Sequence, residues 1–196
     1  MDADARMQFD EKGFYLARGL FTQEEVAEVR NHFMEMRTQG PKPGDYGGDP
    51  AKGNVDPLNR FPRFINMHDW DEKSQVWQRD PRLMDNAAEL VGDEVGLCQT
   101  MLYFKPPGAR GQGLHQDNQY IRRYPIIAAW LALDHCDRAN GQMIVVPESN
   151  KLGVLPVQLA DESVSFTPGE TVLPDDADET GVDMEAGDVL FFGGFT

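Results

Sequence analysis

His115 and Asp117 stand one residue apart in the run GQGLHQDNQY. An imidazole and a carboxylate suit one divalent transition-metal ion, and with a second imidazole they form the facial triad that leaves adjacent coordination positions open for a chelating ligand and dioxygen. On a β-strand, period-two alternation points both side chains to one face, with Cα atoms ~6.5–7 Å apart, and sends Gln116 to the other. The pair alone is a weak signal, for which a surface pair or a strand histidine satisfied by its neighbour is the ordinary reading. The same alternation places Gln99, Met101, Tyr103 and Lys105 on one face of a strand just upstream. That face suits a pocket, although half of any strand in a sandwich faces the core. Trp130 lies in the apolar run IIAAWLALD, where a core aromatic is the competing reading.

The rest of the chain offers less chemistry. His32, His68 and His135 fall in an outer helix, a segment before the main strands and a strand-to-turn junction, and are assigned to structure or surface. Cys98 and Cys136 are the only cysteines, too few for a disulfide scaffold or a Cys-rich zinc site, and are expected to be reduced, buried thiols of a cytoplasmic protein. With 33 acidic against 18 basic side chains and a formal net charge of -15, the chain repels nucleic acid and anionic membranes, so neither is expected as a partner. No stretch approaches the ~20 apolar residues of a membrane span, and the N-terminal residues show no export signal.

Positioning the His-Asp pair requires a scaffold, and 196 residues are enough for one domain with a sizeable core. A single unit over 1–196 is expected, helical and loop-rich over 1–94 and built of strands over 95–196. Residues 13–20 read as a short strand. Thr22 reads as a helix N-cap with Glu25 as its capping-box partner and Phe21–Val26 as a hydrophobic staple. Val26, Val29, Phe33 and Met36 recur at helical spacing, so a helix over 22–38 should lay that stripe on the domain body. Ten Gly and Pro residues between 40 and 62 exclude regular helix or central strand there, leaving a mobile insertion or a lid in which Tyr46, Asp49 and Lys52 face substrate. Asp80-Pro81 separates two short helices over 71–91. Short apolar or alternating segments at 95–105, 113–120, 126–134, 142–147 and 188–193 have the texture of an all-β sandwich or barrel. Asn140-Gly141 marks a tight hairpin needing positive φ, and 155–185 reads as an irregular acidic excursion.

The string KPPGARGQGLHQD, followed by Trp130, then Asn140-Gly141 and a strand ending VPES, resembles the phytanoyl-CoA dioxygenase family. The resemblance runs from residue 14 to 196 and is most specific over 99–151. It implies a mainly β fold, a double-stranded β-helix (a cupin-like jelly roll) with N-terminal and flanking α-helices. It also implies an iron(II)- and 2-oxoglutarate-dependent dioxygenase that couples decarboxylation of 2-oxoglutarate, giving succinate and carbon dioxide, to hydroxylation of an unactivated C–H bond in a small-molecule or lipid-like substrate. By position, His115 is the implied first iron histidine and Asp117 the implied iron carboxylate. Trp130, Gln99 and Met101 match residues beside the co-substrate. Asp117 favours hydroxylation over halogenation, since related halogenases lack this carboxylate. Where the family has Pro-Gly-Ser-His, this chain has Pro147, Glu148, Ser149 and Asn150, a departure that concerns loop structure more than catalysis.

The resemblance also places the second iron histidine, and an arginine for the far carboxylate of 2-oxoglutarate, just after the strand VLFFGGFT. Neither is present up to Thr196. The distal histidine is therefore expected beyond Thr196, with the last strands missing, a sheet edge unpaired, part of the core uncovered and this chain inactive by itself. A non-catalytic binding or scaffold member of the fold, and a metal-dependent cupin of another reaction class, remain the alternatives.

Overall fold

The computed structural model describes residues 3–43, 45–46, 56–61 and 63–196, with backbone alone at 3, 45 and 46. An N-terminal helix, Ala3–Lys12 (α1), precedes strand Phe14–Ala17 (β1) and helix Gln23–Thr38 (α2). The start of α2 is built as its sequence dictates. Thr22 Oγ1 accepts from the Glu25 amide at 3.3 Å while Glu25 Oε2 accepts from the Thr22 amide at 2.8 Å, satisfying two orphan donors of the first turn. Phe21 and Val26 meet in one buried cluster, and Val26, Phe33 and Met36 are buried along the helix.

Helices Glu72–Trp77 (α3) and Pro81–Val91 (α4) divide at Asp80-Pro81. The Asp80 side chain accepts from the Arg82 amide at 2.9 Å, and Pro81 takes the first helical position, where it forfeits no bond. Arg82 then reaches across to Glu25, with contacts of 3.0 and 2.7 Å, and lies over the Phe21 ring at 4.0 Å. Its hydrogen bonds, with the Thr22 cap, hold the Glu25 carboxyl down at about 2.

The main sheet has the order β1-β10-β5, where Ile127–Leu131 is β5 and Val189–Gly193 is β10, all antiparallel. The first strand thus pairs with the last, the long-range pattern of a jelly roll. Register aligns Leu16, Leu190 and Trp130 across the three strands, so these share one face. That face packs on Val145 and Val182, from strands Met143–Val145 (β6) and Thr180–Val182 (β9), which pair with each other. Val189 and Phe191 face the other way, into a cluster with Val26, Ala87 and Leu90 of α2 and α4. A third layer joins Asp45–Tyr46 (β2), Arg63–Ile65 (β3) and Met101–Leu102 (β4), and Val157–Leu159 (β7) pairs with Gly169–Thr171 (β8). Among the described residues no helix is long and apolar enough to cross a membrane.

Several expectations need correction. The strand expected over 95–105 shrinks to Met101–Leu102, because β3 offers only three residues to pair with. Residues 113–116 are irregular and Asp117–Tyr120 is one helical turn (α5), so 113–120 is no strand. The excursion over 155–185 contains β7, β8 and β9. Every residue of β7 is exposed, which removes the apolar alternation by which a strand is read. Gly141 has the expected positive φ of 94°, but no simple hairpin forms, since β5 and β6 join different sheets. Cys98 is exposed and Cys136 half-buried, so the expected pair of buried thiols does not exist. The helix α1 carries no apolar stripe to announce it. The region expected to act as a lid lies largely outside the described residues, Asp49 and Lys52 included. The N-terminal part also supplies β1 to the main sheet. β10 is flanked on both sides, whereas β5 has one edge with no strand partner among the described residues.

Candidate active site

The segment that carries His115 is held extended by its neighbours rather than by a regular ladder. The Gly111 amide donates to Val164 O at 2.9 Å, the Phe166 amide to Gly111 O at 2.9 Å and the Thr171 amide to Leu114 O at 2.7 Å. Gly113 lets the two segments approach closely, since a Cβ there would lie 3.2–3.3 Å from Glu170 Cβ, Gly169 O and Ser165 Oγ and these would have to give by a few tenths of an ångström. The chain then turns at Gln116, which is 2% exposed. Its amide nitrogen donates to Gly153 O at 2.9 Å and Phe195 O at 2.7 Å, and its oxygen accepts from the Leu155 amide at 2.8 Å. Gln116 therefore points away from the pair, as alternation required, but as a buried strut rather than a strand residue. The Asn118 amide donates to Gly194 O at 2.9 Å, docking α5 on the end of β10.

This arrangement brings His115 and Asp117 together by a turn instead of by strand period. His115 Nε2 lies 3.6 Å from Asp117 Oδ1. That exceeds a good hydrogen bond, yet two ligands at ~2.1 Å from one cation span this distance. His115 Nδ1 donates to Gly113 O at 2.9 Å, which turns Nε2 toward Asp117 and the cavity, the orientation that metal-binding histidines receive from a backbone carbonyl. Burial favours the neutral imidazole, but Asp117 and the Gly113 carbonyl outweigh it and hold the His115 pKa above the ordinary histidine value. A site that stabilises positive charge beside a carboxylate fits a divalent cation. Among the described residues no third His, Cys, Asp or Glu completes a metal-binding group.

The pair opens into a cavity of about 1190 Å³, whose lining also includes Gln99, Met101, Gln112 and Trp130. Met101 reaches it from β4, and Trp130 from the inner face of the main sheet. Gln99 reaches it from an exposed irregular segment, not from a strand. The other histidines are held in ordinary pairings, His32 with Asp71 at 3.0 Å, His68 with Thr100 Oγ1 at 2.9 Å, and His135, which also borders the cavity, with Glu185 at 3.1 Å. Sequence reasoning passed over Gln112, whose Nε2 lies 3.2 Å from His115 Nε2. A glutamine in a glycine-rich run carries no signal that could have marked it.

Comparison with known proteins bears on the fold and the family. The sequence profile of the family described as Phytanoyl-CoA dioxygenase (PhyH) matches residues 9–196. Peroxisomal phytanoyl-CoA dioxygenase from Bos taurus is 25% identical over 162 residues, covering 77% of this chain and 48% of that protein. A probable phytanoyl-CoA dioxygenase from Caenorhabditis elegans is 25% identical over 210 residues, covering 98% and 67% respectively. The chain thus spans about half to two thirds of the length of these relatives. Among solved structures, EctD from S. alaskensis, crystallised with 2-oxoglutarate and 5-hydroxyectoine, superposes with a TM-score of 0.76 at 19% identity, covering 100% of this chain and 68% of that one. EvdO2 from Micromonospora carbonacea var. aurantiaca, complexed with 2-oxoglutarate, gives a TM-score of 0.72 at 19% identity, covering 100% and 82%. These likenesses show the cupin-like jelly-roll fold, and the profile match over nearly the whole chain shows that it belongs to the phytanoyl-CoA dioxygenase family.

Proposed function

We propose that this chain carries the substrate pocket and two of the metal ligands of an iron(II)- and 2-oxoglutarate-dependent oxygenase. The observation that carries the reading is the convergence of His115 Nε2 and Asp117 Oδ1 at 3.6 Å on the wall of a cavity, with the histidine tautomer set by Gly113. Family membership supports it, as do the 2-oxoglutarate complexes of the EvdO2 and EctD structures. His115 and Asp117 would hold the iron, which supplies the activation of dioxygen and leaves positions for a bidentate oxo-acid.

The reaction is read as hydroxylation: one oxygen atom of dioxygen enters a substrate C–H bond and the other enters succinate, as 2-oxoglutarate loses carbon dioxide. The chain's own residues contribute binding and orientation. Met101 and Trp130 give the cavity apolar walls, and Gln99 stands at its exposed margin. Apolar walls suit a small-molecule or lipid-like substrate and exclude water from the reacting centre.

The test is an anaerobic titration with iron(II) and 2-oxoglutarate, following the visible charge-transfer band of the chelate, in the protein carrying whatever residues its gene places after Thr196. The band is expected in the parent and absent in His115→Ala. A parent that binds neither iron(II) nor 2-oxoglutarate would turn the assignment to a binding module of the same fold.

A further inference from the structure

Strand β7 is an open edge. Its register with β8 pairs Val157 with Thr171, Gln158 with Glu170 and Leu159 with Gly169. The Val172 amide donates to Pro156 O at 2.8 Å and the Ala160 amide to Pro168 O at 3.0 Å, so positions 156, 158 and 160 turn their backbone groups to β8. In an antiparallel ladder the alternate positions turn the other way. The amides and carbonyls of Val157 and Leu159 therefore face outward, and among the described residues no strand lies beside them. On its far side β8 meets the segment that carries His115, through the Thr171 amide to Leu114 O at 2.7 Å, which leaves β7 as the outer margin of this layer. Proteins blunt such a margin with charge, proline or a cover. Val157-Gln158-Leu159 carries neither charge nor proline, and its two apolar side chains are 56% and 87% exposed.

The flanks of β7 carry opposite charge. Beside Val157 the surface is hollowed over about 510 Å³, between Arg122, Arg123, Tyr124, Val154 and Phe195. Both arginines are exposed, and neither has a carboxylate partner among the described residues, in a chain of formal net charge -15. Past Leu159 the chain runs directly into Asp161 and Glu162. Glu162 holds Arg110 through its backbone oxygen, and its carboxylate makes no ion pair among the described residues.

This edge is complementary to itself. Two copies of β7 laid antiparallel about a two-fold axis at Gln158 set Val157 of each opposite Leu159 of the other. All these residues face outward, so each outward amide and carbonyl meets a partner. The four apolar side chains then share one face, with each Leu159 beside the hollow of the other copy. The same register carries Asp161 and Glu162 of one copy to the end of the strand where Arg122 and Arg123 of the other stand. We propose that β7 is a self-recognition edge, through which two copies of this chain dock as an isologous dimer. A strand this short buries little surface, so the association belongs to the weak class, with Kd of roughly 1–100 µM.

Sedimentation velocity of the protein, carrying whatever residues its gene places after Thr196, reads the equilibrium over ~1–500 µM. A concentration-dependent shift from monomer to dimer is expected. Leu159→Asp, at an exposed position with its folding checked by an unchanged urea midpoint, should weaken it at least tenfold. Arg122→Glu with Arg123→Glu, and separately Glu162→Lys, should each weaken self-association, while a mixture of the two variants should associate again. Only the mixed pair sets Glu against Lys on one flank and Arg against Glu on the other. Gln158→Cys, made in a Cys98→Ser chain to remove the exposed native thiol, should cross-link two copies on mild oxidation. At the two-fold the opposed Cα atoms lie ~4.5 Å apart, within disulfide reach. A parent that stays monomeric over the whole range overturns the proposal. So does a dimer that survives Leu159→Asp or that fails to cross-link through position 158, since either places the contact on another face.

Discussion

Replacing Asp188 by Asn removes one carboxylate oxygen from a place where both are fully used. Oδ1 accepts from the Gly19 amide at 2.7 Å. Oδ2 accepts from the Glu185 amide at 2.9 Å and from Arg18 at 2.7 Å. The Asp188 side chain is 4% exposed, whereas that of Arg18 is 60% exposed. The ion pair is therefore the weaker contribution, about 0–1 kcal/mol. The two backbone amides dominate. Whichever way an Asn amide turns, its NH2 faces one of these N–H groups, which loses one bond and sets a buried donor against a donor. The expected cost is ~2–3 kcal/mol, or roughly 4–12 °C in Tm for a chain of this size. Arg18→Ala should cost under ~1 kcal/mol. Burial alone would raise the Asp188 pKa, but the Gly19 and Glu185 amides, and then Arg18, hold it below the ordinary carboxylate value. A depressed folded pKa stabilises fully above the unfolded value of about 3.9 and loses that stabilisation as pH falls through the lower folded value. Urea denaturation at neutral pH should thus separate parent from Asp188→Asn, and the gap should close in acid. Equal losses for Arg18→Ala and Asp188→Asn, or a gap that persists at low pH, would refute the ranking of amides over ion pair.

Two further substitutions probe the frame around the site. Gln116→Leu strands Gly153 O, Phe195 O and the Leu155 amide, so it should lower the urea-derived stability by ~2–4 kcal/mol, with His115→Ala far milder. Glu148 sits at φ 67°, a left-handed conformation costing about 1–2 kcal/mol without glycine; Glu148→Gly should raise stability by ~0.5–1 kcal/mol after the entropy of the added glycine, measurable as a Tm increase, and its exposed contact to Lys151 at 3.2 Å is too weak to reverse the sign.

The parts legible in the sequence are those where local chemistry and tertiary packing agree. Thr22 and Glu25 announce their capping box, Asp80-Pro81 its helix break, and the stripe through Val26, Phe33 and Met36 its buried face. The strand over 188–193 is legible because β10 is covered on both faces and apolar throughout. β7 pairs only with β8 and lies open to solvent, so its composition obeys no burial rule and it reads as loop. Glu148 shows the reverse: its position after Pro147, where the family has glycine, marked a departure in loop structure, and the positive φ supplies the physical content. At the candidate site, the convergence of His115 and Asp117 was legible and the assumed strand was not. Period-two alternation and a turn about a buried Gln116 both send neighbours in opposite directions, so the correct convergence followed from the wrong local structure.

That coincidence has a cause in β10. It is clamped at its start by the preceding Asp188, its middle is buried between helices and the inner sheet, and the residues that follow it supply acceptors for the site: Gly194 O for the Asn118 amide and Phe195 O for Gln116. A Cβ at Gly194 would lie 2.5 Å from Asn118 Oδ1, so a larger residue there would have to push the Asn118 side chain aside. The His115–Asp117 separation is therefore set by a strand more than seventy residues away in sequence. Alternation along a ladder would have made the geometry local and tolerant of changes in β10. A turn docked on the strand end makes it dependent on the whole main sheet, so lesions at Asp188 and Gln116 should propagate to the pair, while lesions in the solvent-facing β7 should leave it intact.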